Sequence, residues 1–409
     1  MQYGQVSDNI GGFTLKQPLE GVRILDLSRV YAGPAGSMIL GDLGAEVIRV
    51  EHPENTDSMR EWVPFVNGES TYYMSANRNK KSVTLNLKTE KGKKLFLQMA
   101  EKADVVMENF KTGTMERMGL SYEQLKKRKE DIILCSITGY GQTGPYHMEP
   151  GFDPVIQAIG GLMDITGDPE GEPMRVGVPV VDMMTSQYVA IGILSALRQR
   201  DLTGKGQHLD IALLDVQVSA LANIASSYLN TGTISKRIGN NHSYIVPYQV
   251  FQTKDRPLMV CAGNDRLFEK LCHALGKPEW AQGEKFKTNN KRVENREELT
   301  EKIQAVFHEK TADEWYDILA KAGVPSGQVN NVEQVFHHPQ VKARQAVEEV
   351  AHPAVGTVKI VKSPLRFSEF GIQTKTHPPL LGEHTDEFYE KEFGMSKDEL
   401  ERLKAEGII

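Results

Sequence analysis

The sequence predicts an α/β protein: a large Rossmann-like domain built on a parallel sheet, followed by a smaller α+β domain. Two observations carry this reading. Apolar runs of strand length alternate with amphipathic helical segments through the first half of the chain, the pattern of a sheet covered on both faces. Beyond Gly239 that alternation gives way to a hairpin pattern and a succession of helices.

The elements follow in order. Gly21 to Ser28 is an apolar-rich run of buried-strand size. A turn follows, with Pro34 in the first turn of a helix reaching Leu43, Gly44 as its stop, and Ala45 to Glu51 as the next strand. This is a βαβ unit. Ser82 to Leu87, Ala103 to Met107 and Asp131 to Ile137 read as further strands, and Thr89 to Lys102 as an amphipathic helix. Thr166 to Gly177 is a loop rich in Gly, Pro and acidic residues. An apolar helix spans Met184 to Arg198, and the turn Thr203-Gly204-Lys205-Gly206 leads into a strand over Gln207 to Ala212. Residues 1–212 form the large domain, and a linker helix, spanning Leu213 to Leu229 within residues 213–238, leaves it.

The small domain covers residues 239–335. Tyr248 to Thr253 and Leu258 to Ala262 flank a short turn as a hairpin does, and helices follow over Asp265 to Ala274, Arg296 to Phe307 and Thr311 to Ala322. Residues 336–409 return to the large domain, with a strand over Gly356 to Val361 and a charged helix over Ser396 to Glu406.

Composition excludes several functions. With 48 basic against 54 acidic residues in 409, the net charge of -6 offers nothing to a nucleic acid. Met1 to Gly12 lacks an apolar core behind basic residues, and no run reaches ~18 uninterrupted apolar residues, so neither export nor a membrane span is expected. Cys135, Cys261 and Cys272 form no Cys-x-x-Cys pair, which fits a reducing cytoplasm. His337 and His338 are adjacent but lie before Pro339 in a turn without further ligands, so no metal site is expected.

Ligands of a parallel sheet sit at the carboxyl ends of its strands, which directs attention to the loop Ser28 to Gly36. Gly33 and Gly36 allow close backbone approach, yet the loop lacks the G-x-G-x-x-G spacing of a nicotinamide site, and Glu51 only mimics the ribose-binding acid of one. Arg78, Lys80, Lys81 and Lys88 recur at strand ends, and Lys111 and Arg117 follow Glu108-Asn109-Phe110. They are either solvated surface charges or the counter-charges of a long phosphorylated cofactor, with a Phe ring for adenine stacking. Asp182 stands just before the apolar helix. As such it reads as an N-cap, and the same placement holds its carboxylate ionised beside the positive end of the helix dipole.

The ordered succession of Arg29-Val30-Tyr31-Ala32-Gly33-Pro34, Leu43-Gly44-Ala45-Glu46-Val47-Ile48, Asn79-Lys80-Lys81-Ser82, Glu108-Asn109-Phe110, Gly151-Phe152-Asp153, Thr203-Gly204-Lys205-Gly206-Gln207 and Gly382-Glu383-His384-Thr385 resembles the family III CoA-transferases over nearly the whole chain. The resemblance implies that Asp182 is a nucleophile, transiently acylated by an acyl-CoA. It implies CoA contacts at Tyr31, Ala32, His52, Leu85, Asn86, Leu87, Lys88, Asn109, Phe110, Lys111, Arg117 and Asp153. His52 stands where a well-known member has an Arg for the CoA phosphates. The region Gly239 to Tyr244 stands where the formyl-CoA transferases carry a glycine-rich loop. An interlocked, ring-like homodimer is implied in the same way.

The expected partners are therefore coenzyme A and acyl-CoA as substrates, with no tightly bound cofactor, and a small carboxylic acid as acceptor. Succinyl-CoA is the expected donor, with Arg60 and Arg175 as cations for a second carboxylate. Related α-methylacyl-CoA racemases pair a His with an Asp as acid and base, but Phe152 fills the position before Asp153 and exchanges no proton. A racemase-like isomerase, and a CoA-binding protein without turnover in which Asp182 is only a helix cap, are the alternatives.

Overall fold

A computed structural model describes residues 16–54 and 56–409, so the reading of Met1 to Gly12 falls outside the described residues. The described chain divides into two units. The first contains the residues up to Leu162, Arg175–Thr231 and Gln345–Ile409; the second contains Met163–Met174 and Gly232–Arg344.

In the first unit, β1 (Arg23–Asp26), α1 (Ala32–Asp42) and β2 (Glu46–Glu51) form the expected βαβ unit. A two-residue hairpin follows, β3 (Phe65–Val66) and β4 (Glu69–Ser70), with the single turn α2 (Thr71–Met74). Next come β5 (Lys80–Thr84), α3 (Glu90–Glu101), β6 (Val105–Glu108), α4 (Thr114–Met118), α5 (Tyr122–Arg128) and β7 (Ile133–Thr138). After α6 (Asp153–Ile159) and the long α7 (Val180–Thr203) the sheet closes with β8 (His208–Ala212). All neighbours pair in parallel, in the order β5-β2-β1-β6-β7-β8. The chain works outward from β1 on one side, then returns to add β6, β7 and β8 on the other. That reversal makes the carboxyl ends of β1 and β6 the topological switch point, where open α/β sheets bind ligands.

Apolar clusters lie on both sheet faces, one around Leu25, Ile48, Phe96 and Val106, the other around Ile24, Val47, Ile133 and Ile193. α1 is buried along almost its whole length because it packs on α7 through small residues. A Cβ on Gly36 would lie 2.7 Å from the Val189 side chain, so this crossing requires glycine. α7 is apolar and long enough to cross a membrane by length and composition, but Val181, Val189, Ile193 and Leu197 belong to the core.

Several expected bounds move. β5 ends at Thr84 rather than Leu87, and the single helix expected over Leu213–Leu229 is two, α8 (Leu213–Ala220) and α9 (Ala222–Thr231). The break comes where Ala222 adopts φ 46°, which no continuous helix accommodates. The chain rejoins the first unit at Gln345, and its antiparallel pair of strands packs around Met74.

The second unit holds a three-stranded antiparallel sheet of β9 (Tyr248–Gln252), β10 (Pro257–Cys261) and β11 (Ser326–Gln328), with helices that include Asp265–Ala274, Arg296–Phe307 and Ala312–Ala322. Residues 163–174 belong to it because the Arg237 guanidinium donates to the carbonyls of Asp164, Asp168 and Gly171. The Gly239 to Tyr244 region is tied within this unit, with Arg296 donating to the carbonyls of His242 and Ser243. The return segment then supplies β12 (Val347–His352) and β13 (Gly356–Val361).

Candidate active site

The loops after β1, β6 and β7 surround a cavity of about 260 Å³ at the switch point. Arg29 to Ala32 line it from β1, Asn109 to Thr112 from β6, and Ile137 to Gly139 with His147 and Glu149 to Asp153 from β7. Asp182 and Leu213 complete the wall. Its floor depends on two glycines meeting backbone to backbone: a Cβ on Gly139 would sit 2.6 Å from Gly151 Cα.

Asp182 is the third residue of α7, and Pro179 occupies the N-cap position. The expected N-cap role therefore falls elsewhere. Asp153, buried at the start of α6, points its Oδ2 at that helix end and accepts the N–H of Val181 at 2.7 Å and of Asp182 at 3.2 Å. Its Oδ1 accepts from Gln157 Nε2 at 2.6 Å, and Gln157 Oε1 accepts the N–H of Val176. The capping is supplied from a distance, which leaves the Asp182 side chain without a cap bond.

The electrostatic expectation reverses as well. Burial, and then the negative charge of Asp153, push the Asp182 carboxyl up to about 7. Desolvation and a like charge outweigh the dipole of α7. A carboxyl so raised is about half ionised near neutral pH and, once ionised, is a stronger nucleophile than an ordinary aspartate. Two phenols feel the charge of Asp182. Burial raises Tyr31 and Tyr72, and the negative charge of Asp182 raises both further. Their rings meet edge to face at 6.0 Å, and Trp62 meets Tyr72 at 5.1 Å.

Of the residues expected at the site, Tyr31, Ala32, Asn109, Phe110, Lys111, Asp153 and Asp182 line this one cavity. Asn109 spends its side chain on structure, accepting the Arg29 N–H at 2.8 Å and donating to the Arg29 carbonyl at 2.7 Å. His52, Leu85, Asn86, Leu87, Lys88 and Arg117 lie outside it. Leu85 is buried in the core, and Asn86 donates to the Gly407 carbonyl, tying down the C-terminus. Leu87 packs against the same core, and Arg117 donates to Thr114 on an exposed turn. His52 is lowered by burial and then by the charge of Lys88, with Arg29 contributing and Asn86 hydrogen-bonded to it. Arg29 and Lys88 are the cations of this group, and their charges hold His52 toward its neutral form.

Arg60 is not available to a substrate carboxylate. It pairs with buried Glu51 through two hydrogen bonds of 2.9 and 2.8 Å and lies over the Tyr73 ring. Glu51 is in turn drawn down to about 2, against burial, by Arg49 and Arg60, so it serves no ribose. Arg175 is exposed and donates to its neighbour's carbonyl. The sequence reading passed over Arg29, His147 and Glu149 as lining residues. The signal was present for the latter two, since the Gly-rich stretch after β7 is itself a strand-end loop. Among the described residues no group of His, Cys, Asp and Glu could hold a metal ion.

Comparison with known proteins bears on the chain as a whole. The model of CoA-transferase family III matches residues 19–385. The human succinyl-CoA:glutarate CoA-transferase is 44% identical over 96% of this chain and 90% of its own. The acetyl-CoA:oxalate CoA-transferase of Acetobacter aceti is 40% identical over 87% and 90%. The crystal structure of a CAIB/BAIF family protein from Brucella suis superimposes with a TM-score of 0.82, at 41% identity, over 92% of this chain and all of that one.

Proposed function

The chain belongs to CoA-transferase family III, and on that premise we propose that it moves CoA from succinyl-CoA to a small dicarboxylate such as glutarate, with Asp182 as the acylated residue. One observation carries the choice of residue: Asp182 lies on the cavity at the switch point, with its carboxyl raised to about 7.

In the proposed reaction the Asp182 carboxylate attacks the thioester carbonyl, the C–S bond breaks, and CoA leaves as thiolate with a mixed anhydride formed. The thiolate attacks the aspartyl carbonyl, releasing succinate and leaving an aspartyl-CoA thioester. The acceptor carboxylate then attacks that thioester, and the freed thiolate takes the acceptor acyl group from the second anhydride, restoring Asp182. No water is consumed, so the anhydride must be shielded from it, as a cavity bounded by Tyr31, Phe110 and Phe152 favours. Arg29 and Lys88, with Lys111 after β6 and Arg117 on α4, supply the charge proposed to hold the CoA phosphates.

A second copy of the chain is the proposed partner. Exposed Val155 and Ile159 on α6 and Met183, Tyr188 and Ile191 on α7 support this, because monomers rarely leave such a set uncovered. The three unpaired cysteines support a reducing, cytoplasmic location. The test is a transfer assay with succinyl-CoA and glutarate. Formation of glutaryl-CoA by the native chain, lost in Asp182→Ala while CoA still binds, supports the proposal; undiminished transfer by Asp182→Ala refutes it.

A further inference from the structure

We infer that Asp57 is a positioning residue for the transfer reaction, holding Val30 in a left-handed backbone conformation that fixes the Tyr31–Ala32 wall of the cavity. The inference rests on the reading of that cavity as the reaction site. Val30 has φ 63°, a region that a β-branched residue enters only when its surroundings impose it. Such strain concentrates where a loop must present its backbone in one shape, and the next two residues both line the cavity.

The surroundings that impose it are specific. Both carboxylate oxygens of buried Asp57 accept the Val30 N–H, at 3.1 and 3.0 Å. Arg49, fully buried, donates to Asp57 at 2.5 Å and lies 3.5 Å from Glu51 and 3.9 Å from Asp26. The rest of the loop is pinned on either side. Asn109 clamps the Arg29 backbone at both its N–H and its carbonyl, and the buried Lys80 ammonium donates to the Pro34 carbonyl at 2.8 Å. Among these anchors only Asp57 reaches the strained residue itself.

A bland reading competes: Asp57 also accepts the Met59 N–H at 3.0 Å, and it balances Arg49. The two readings differ in what Val30 contributes. If Asp57 serves to hold the left-handed conformation, a residue that adopts it freely makes Asp57 less necessary. If Asp57 serves only its charge partner, the identity of residue 30 is irrelevant to it.

The experiment is a double-mutant cycle between Asp57→Asn and Val30→Gly, read by steady-state transfer and by amide hydrogen exchange of the peptide spanning residues 28–35. We expect Asp57→Asn to lower kcat by about 10²-fold, with KM for the acyl-CoA changed less than about threefold, and to speed exchange of that peptide. In the Val30→Gly background the same substitution is expected to cost at least about tenfold less. Val30→Asn, which also tolerates the conformation, should rescue similarly. Asp57→Glu keeps the charge for Arg49 while displacing the oxygens, so it is expected to lose kcat too and serves if Asp57→Asn does not fold. Equal losses in both backgrounds, or full kcat in Asp57→Glu, overturn the inference. Exchange unaltered by Asp57→Asn overturns the anchor itself, a result independent of any transfer activity. Absent transfer in the native chain would instead count against the function proposed above.

Discussion

Asp153 accepts the backbone N–H of Asp182 at 3.2 Å while setting a second negative charge beside that residue's carboxyl. One side chain therefore anchors the first turn of α7 and makes the carboxyl that the turn presents a weaker acid.

The first consequence is a pH profile. Because the reacting form of Asp182 is the carboxylate and its carboxyl is raised from 3.8 to about 7, kcat/KM for the acyl-CoA should rise with pH through a midpoint near 7. A profile flat from pH ~5 to ~8 would show that no such group controls the reaction.

Asp153→Asn should move that midpoint down by about one pH unit, since the substitution removes a like charge while Asn Oδ1 still accepts from the helix. The measurement is the same profile in the variant. An unmoved or raised midpoint contradicts the coupling.

Asp182 should also weaken the fold as it ionises. Its folded-state value near 7 lies above the 3.8 of the unfolded chain, so the stability it allows at low pH is lost as pH climbs from about 4 to 7. Asp182→Asn escapes that loss. Chemical denaturation should show it more stable than the native chain by roughly 1–3 kcal/mol near pH 8, with the difference fading toward pH 4.

Arg60 should matter for stability and not for the acceptor. Removing it by Arg60→Ala leaves buried Glu51 with Arg49 and Ser82 alone, at a cost of roughly 2–4 kcal/mol in denaturation. KM for a dicarboxylate acceptor should be unchanged. A large rise in that KM would return Arg60 to the substrate site.

Much of the fold was legible because its signals are local. The apolar run before Ser28, the helix stop at Gly44 and the turn at Gly204 each name their own structure, and the loops at the switch point follow from the alternation of strands and helices. The site was legible in part, as the cavity gathers Tyr31, Ala32, Asn109, Phe110, Lys111, Asp153 and Asp182. What failed depends on partners distant in sequence. Asp182 looks like a cap until Asp153, twenty-nine positions earlier, is seen to do the capping. Arg60 looks like a free cation until Glu51 folds against it. Val30 carries no sequence mark of its left-handed backbone, because the residue itself disfavours it and Asp57 imposes it.

The central claim is that Asp182 carries the acyl group. Incubating the protein with succinyl-CoA and hydroxylamine, then mapping modified peptides by mass spectrometry, tests it most directly. The prediction is a hydroxamate at Asp182, formed only when the acyl-CoA is present and absent in Asp153-intact Asp182→Ala. An unmodified Asp182 in protein that still turns over, or a hydroxamate at another carboxyl, would contradict it.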